Sequence, residues 1–208
     1  MNEYAEIYDT VWAYPQYSNF SPEVGDNHFI ECMLKLLKAN KVLSIGCGNG
    51  AGVRELLKSG YDAHGIDVSK YAIGLANKLT EGALGEPSRY RCLNVLSWTW
   101  SHTEDWQAFI CIDVMEHIAQ EDVSLFLNRL SAAKVPVVFS IALGKDAFGP
   151  KILGKPLHLT IKQLEWWKGA LSMYWKTEAY QSSRKWAVSF LCLPYNYDKG
   201  EKIHGEAS

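Results

Sequence analysis

The stretch that most constrains this chain is Lys41–Gly50, KVLSIGCGNG. Val42, Leu43 and Ile45 make a short aliphatic run of the kind buried on both faces of a parallel sheet. The run ends at Gly46-Cys47-Gly48-Asn49-Gly50, where alternate glycines free the backbone to take positive φ and to approach a ligand closely. Val53, Leu56 and Leu57 then recur at helical spacing. Strand, glycine turn and helix in that order present backbone N–H groups and a helix N-terminus to a nucleotide-like ligand. The expectation is an α/β chain built around such a ligand.

The order of the remaining elements supports this. Ser21-Pro22 starts a helix, with proline at its first position, that carries Phe29, Met33, Leu36 and Leu37. Ala63–Ile66 reads as a second strand ending at Asp67, and Ser69 caps a helix with Ala72, Leu75, Ala76 and Leu79. Gly82 to Pro87 is a loop, and Trp98–Asp105 is irregular. Tyr90–Leu93, Phe109–Ile112 and Val135–Ile141 are three further strands, with a helix marked by Val123, Phe126, Leu127 and Leu130 before the last. This alternation predicts a doubly wound, mostly parallel sheet with right-handed crossovers and helices on both faces. Ala142–Leu157 is a long Gly/Pro/Lys loop, of a length often functional. Thr160 and Gln163 have capping-box spacing for a helix bearing Leu164, Trp166 and Trp167. Leu171–Tyr180 and Trp186–Leu193 read as an antiparallel C-terminal hairpin turning at Gln181–Arg184.

One domain over residues 40–194 is expected, after an aromatic cap and helix over 1–39 and before a polar tail at 195–208. Tyr4, Tyr8, Trp12, Tyr14, Tyr17 and Phe20 crowd the N-terminal segment, which reads either as a packed cap or as a flap over a ligand. A net charge of −2, with no Lys/Arg block, does not indicate nucleic-acid binding. The odd set of five cysteines lacks a C-x-x-C pair and suits free thiols in a reducing cytosol. Without a signal peptide or a long apolar run, the expected location is cytoplasmic, with no membrane partner.

Which cofactor the turn holds is not decided by the glycines. Gly46, Gly48 and Ala51 satisfy G-x-G-x-x-A, and Asp67 follows about 20 residues on, so NAD is a fair rival. Two features tilt the reading: a third glycine at Gly50, and the cluster Asp113-Val114-Met115-Glu116-His117-Ile118 ending the fourth strand. With these, the chain resembles the Rossmann-like S-adenosylmethionine-dependent methyltransferases over about residues 40 to 193. VLSIGCGNG, GIDVS (Gly65–Ser69) and IDVMEHI (Ile112–Ile118) are similar to three of their motifs, and the hairpin suits their seven-stranded sheet.

The resemblance implies S-adenosyl-L-methionine as cofactor and a small-molecule or sugar-type acceptor. It implies that Gly46, Cys47, Gly48 and Gly50 form the turn against the cofactor's methionine part. Asp67 would accept from the ribose hydroxyls and Val68 would pack on the adenine. Asn94 and Val95 would read the adenine edge, while Asp113 and Val114 would line the floor. Ser44 stands where the family usually has Asp or Glu, which puts affinity in question. His117 and His158 are the candidate catalytic groups, since a hydroxyl acceptor usually needs a base. Asp113, Glu116, His117 and His158 also resemble the divalent-metal set of the small-RNA terminal-ribose and ubiquinone-pathway O-methyltransferases. Relatives without a metal use the same EH pair to brace a loop, and no metal is assigned. A metal-assisted RNA ribose O-methyltransferase and a non-catalytic cofactor-binding module stay open as alternatives.

Overall fold

The computed structural model describes residues 3–18, 21–85, 89–99 and 105–197. The expectations placed on Phe20, Trp100, the end of the 82–87 loop and the tail past Tyr197 lie outside these residues; the start of that loop, 82–84, is instead the last turn of a helix (Lys70–Leu84). Seven strands form one sheet: β1 (Lys41–Ile45), β2 (Asp62–Asp67), β3 (Tyr90–Cys92), β4 (Ala108–Ile112), β5 (Val137–Ala142), β6 (Lys176–Gln181) and β7 (Ala187–Leu193). Their spatial order is β3-β2-β1-β4-β5-β7-β6. β1 to β5 pair in parallel, and β7 runs antiparallel to both β5 and β6. The doubly wound sheet with a reversed hairpin strand is thus the observed fold.

The helices are α1 (Glu3–Trp12), α2 (Pro15–Ser18), α3 (Pro22–Leu37), α4 (Ala51–Lys58), α5 (Lys70–Leu84), α6 (Gln120–Ser131), α7 (Phe148–Leu153) and α8 (Leu164–Ser172). β4 and β5 are buried along their whole length, as aliphatic strands covered on both faces must be. Their side chains alternate between two cores. Leu43, Phe109, Cys111 and Phe139 meet α6 and α8 on one face, while Val42, Ile110, Ile112 and Val138 meet α3, α4 and α5 on the other. β6 is the outer strand and carries Lys176 and Glu178, charges that discourage further strand pairing.

Three local expectations are corrected. Leu171 belongs to α8 rather than to a strand, because Trp167 and Leu171 lie one turn apart and bury together beside Trp175. The capping box fails, because the Thr160 hydroxyl donates to the Ile118 carbonyl (2.7 Å) and Gln163 caps α8 without a side-chain bond. The long 142–157 segment contains α7, and the Asp146 carboxylate braces it by accepting from the N–H groups of Gly149 (2.5 Å), Leu157 (2.8 Å) and His158 (3.1 Å).

The chain passes from one flank of the sheet to the other between the neighbours β1 and β4, so the loops leaving them diverge at their C-terminal ends. That switch point is where doubly wound sheets open a ligand crevice. Helix α1 lies across it, fastened on both sides. The Tyr4 hydroxyl donates to Asp122 (3.0 Å) and accepts from the Ala119 N–H (2.9 Å) at the start of α6. Asp9 accepts from the Ser69 hydroxyl (2.6 Å) and the Tyr71 N–H (3.0 Å) at the start of α5.

Candidate cofactor and acceptor site

Two adjoining cavities occupy the switch point, of about 110 Å³ and about 440 Å³, and both are lined by Trp12, Tyr17, Gly46, Asp113 and His117. The glycine turn forms their common wall. Gly46 and Gly48 have φ of 74° and 53°, which side-chain-bearing residues rarely adopt. A Cβ on Gly46 would lie 2.4 Å from Val114, and one on Gly48 would lie 2.2 Å from the Trp12 ring. Gly50 lines neither cavity; it caps α4 at φ 74° and packs beneath Tyr90. Cys47 lines the larger cavity, and burial pushes its thiol well above the ordinary range, so it is a packing group rather than a nucleophile.

The smaller cavity has Asp67, Val68, Asn94, Val95 and Val114 on its walls, together with Ile118 and Phe126. Asp67 accepts from the Gly48 N–H and the Ser69 N–H, both at 2.9 Å, tying the turn to the capped start of α5. Each carboxylate oxygen keeps a lone pair beyond those bonds, enough to accept from a pair of vicinal hydroxyls. Burial raises its pKa to about 6, although the backbone N–H groups of Ser69, Gly48 and Val68 favour the ionised form. The Asn94 side-chain oxygen accepts from the Leu96 N–H (3.0 Å), capping a 3-10 turn at Val95–Ser97. Its amide N–H groups remain as the donors Asn94 has for a ligand.

Asp113 closes β4 in the left-handed region at φ 52°, a conformation that costs a residue with a side chain about 1 kcal/mol. A residue the sequence reading missed holds it there. Arg184, from the β6–β7 turn, donates to Asp113 (2.5 Å), to Asp26 of α3 (2.9 Å) and to the Ser140 hydroxyl (2.8 Å). Of the four residues proposed for a metal, Asp113 is not among those the fold brings within ligand distance of one another.

What remains of that set is close-packed: Glu116, His117 and His158 each offer a ligand atom within 4.8 Å of the others. His117 Nδ1 lies 3.1 Å from the Leu157 carbonyl and His158 Nδ1 lies 2.6 Å from the Gly144 carbonyl. A carbonyl only accepts, so both rings carry the Nδ1 proton and leave Nε2 as base or ligand. Burial, reinforced by His158, lowers the His117 pKa to about 3 and keeps that ring neutral. One Glu116 oxygen accepts from the Ala142 N–H (3.1 Å) and the other is buried without a hydrogen-bond partner. Burial, and then Asp113, raise the Glu116 pKa well above its ordinary value. The donor set of one carboxylate and two imidazoles fits a divalent first-row transition-metal cation.

Residues 42–136, from β1 to the threshold of β5, match the family model described as a methyltransferase domain. That match spans a little under half of the chain. A ubiquinone biosynthesis O-methyltransferase from Methylococcus capsulatus is 29% identical over 105 residues, covering 50% of this chain and 44% of that protein. One from Azoarcus is 24% identical over 110 residues, covering 53% and 47%. The chain thus matches less than half the length of these curated relatives. Among solved structures, magnesium protoporphyrin IX methyltransferase from Synechocystis, with bound S-adenosylmethionine, superposes with a TM-score of 0.63 at 15% identity, covering 92% of this chain and 96% of that one. The methyltransferase domain of bacterial CtHen1 gives 0.66 at 18%, covering 84% and 100%. Likeness at that identity shows the fold alone.

Glu23 and Asp26, like Arg184, were absent from the sequence reading. A signal for the acids exists: both share the inward stripe of α3 with the buried Ile30, Met33 and Leu37. Arg184 sits in a polar turn and leaves no such trace.

Proposed function

We propose that the protein is a methyltransferase that moves the methyl group of S-adenosylmethionine to a hydroxyl of a small-molecule acceptor. The observation that carries this reading is the place of His117, which lines both cavities at the boundary between the glycine turn and the space that holds His158. In this reading the smaller cavity takes the adenosine, with Asp67 on the ribose and Val68, Asn94 and Val95 around the base. The acceptor enters the larger cavity, past Phe148 and Trp186. Methyl transfer from a sulfonium is an in-line displacement, so the chain supplies orientation, exclusion of water and a proton acceptor. His158 is that acceptor through Nε2, and the neutral His117 keeps a second charge from opposing the cationic donor. O-Methylation by the curated relatives agrees with a hydroxyl acceptor.

Incubation with cofactor labelled in the transferable methyl, over a small-molecule extract, tests the proposal. Label should appear in a neutral product stable to mild base, and His158→Ala should lower the rate on the order of a hundredfold, as loss of a general base does. Absence of label in any acceptor would contradict it. A second reading, metal-assisted transfer, rests on the Glu116, His117 and His158 cluster. It predicts that Mn²⁺ binds the protein directly by calorimetry, and that His117→Ala abolishes the heat; no heat with the wild-type chain would exclude it.

A further inference from the structure

Glu23 is a buried carboxylate with no cationic partner among the described residues. It projects from the first turn of α3 to β1, where it accepts from the Ser44 hydroxyl, and it is 6% exposed. Room is made for it by Gly52 of α4, since a Cβ there would lie 2.1 Å from a Glu23 carboxylate oxygen. Among the described residues no Lys, Arg or His pairs with it. Arg184 is committed to Asp26 and Asp113, and Arg54 donates to the Asn49 carbonyl at 2.7 Å. An ionised carboxylate out of water is costly unless a cation or several N–H groups meet it, and one hydroxyl does not suffice.

The missing cation has a place to sit. Glu23 lines the larger cavity together with Gly46, Cys47, Gly48, Asn49 and Asp113, beside the glycine turn. Asp67 and Asp113 stand near enough to act on its charge, so the turn is surrounded by three carboxylates with one arginine among them. Such a field selects a cationic ligand. S-Adenosylmethionine carries two positive centres, a sulfonium bonded to the 5′ carbon of its adenosine and, at the far methionine end beside a carboxylate, an α-ammonium. With Asp67 facing the smaller cavity and Glu23 lining the larger one, the methionine end falls on the side of Glu23.

We propose that Glu23 binds the α-ammonium group of the cofactor, and that helix α3 thereby supplies the carboxylate that β1 lacks at Ser44. The Ser44 hydroxyl has a positioning role, holding the Glu23 carboxylate toward the turn. Helix α3 is on this account part of the cofactor site rather than only a cover for the sheet. The assignment rests on the cofactor reading above.

Calorimetric titration with two probes tests it. S-Adenosylhomocysteine has the α-ammonium; 5′-methylthioadenosine keeps the adenosine and the sulfur but has no amino-acid end. Glu23→Gln preserves shape and removes the charge. It should weaken S-adenosylhomocysteine on the order of tenfold or more, the loss expected for a charge-assisted hydrogen bond, and leave 5′-methylthioadenosine within about twofold. Ser44→Ala, which keeps the charge, should give the same selectivity with a smaller loss. Equal losses for both probes, or unchanged S-adenosylhomocysteine affinity in both variants, would overturn the assignment. A wild-type chain that binds neither probe would instead overturn the cofactor reading.

Discussion

Gly48 shows how little latitude the turn leaves at single positions. Its φ of 53° and its contact with the Trp12 ring both require a bare Cα. Gly48→Ala should therefore lose about 1 to 2 kcal/mol from backbone strain alone, and more from displacing Trp12. Thermal unfolding would read the loss. Arg184 raises a different issue, because its side chain is 12% exposed and its partners Asp26 and Asp113 are 1% and 13% exposed. Removing one partner of a buried ion set strands the others, so Arg184→Met should cost about 3 to 5 kcal/mol in urea unfolding. Arg184→Lys should recover only part, since an ammonium cannot span three acceptors held by a planar fork.

Among the elements, α1 has the most distinctive role. It reaches the body of the protein through Tyr4 and Asp9, polar contacts at its two sides, and it turns Tyr8 and Trp12 down into the cavities. Helix α1 carries Tyr4, Tyr8 and Trp12 of the N-terminal aromatics, while Tyr17 falls in α2. Asp9→Ala removes two hydrogen bonds to the start of α5 and should destabilise the docked helix by about 1 to 2 kcal/mol. Because the two cores lie below α1, the far-UV circular dichroism of that variant should match the wild type, while the fluorescence of Trp12 should shift toward that of an exposed indole. An unshifted spectrum would show the docking to be held by burial of Val11 and Trp12 alone.

At the scale of the molecule, buried acids link stability to ligand binding. Burial raises Glu23 to about 7 and Asp67 to about 6, against ordinary values of 4.5 and 3.8. The folded state therefore binds protons more tightly than the unfolded chain between those values, and ligand-free stability falls as pH rises through about 4 to 7. Relative to Glu23→Gln, the wild type should gain on the order of 2 kcal/mol as pH drops from 8 to 5. Cofactor affinity should run the other way, weakening as the same carboxyls protonate. A pH-independent gap between wild type and variant would contradict the burial argument.

The sheet was legible because its signals are local: aliphatic runs of strand length, glycine or serine punctuation, and helical stripes such as Val123, Phe126, Leu127 and Leu130. Asp67 and Asn94 stand where the strand readings put them, Asp67 as the last residue of β2 and Asn94 just beyond β3. The boundary at Leu171 was not legible, because Trp167, Leu171 and Trp175 satisfy a helical stripe and an aromatic strand equally well. Glu23 and Arg184 were hidden for a deeper reason. Their partners lie 21 residues away at Ser44, and 71 and 158 residues away at Asp113 and Asp26, so no spacing within a single element encodes the contact.

The central claim is that the turn at Gly46–Gly50 and the carboxylate of Asp67 receive the methyl donor rather than a dinucleotide, although both satisfy the NAD fingerprint. Titration of the wild-type chain with S-adenosylhomocysteine and with NAD⁺ under identical conditions tests it most directly. The account predicts one saturable site for S-adenosylhomocysteine, lost in Asp67→Ala, and no measurable heat with NAD⁺. Saturable binding of NAD⁺ with none for S-adenosylhomocysteine would contradict it.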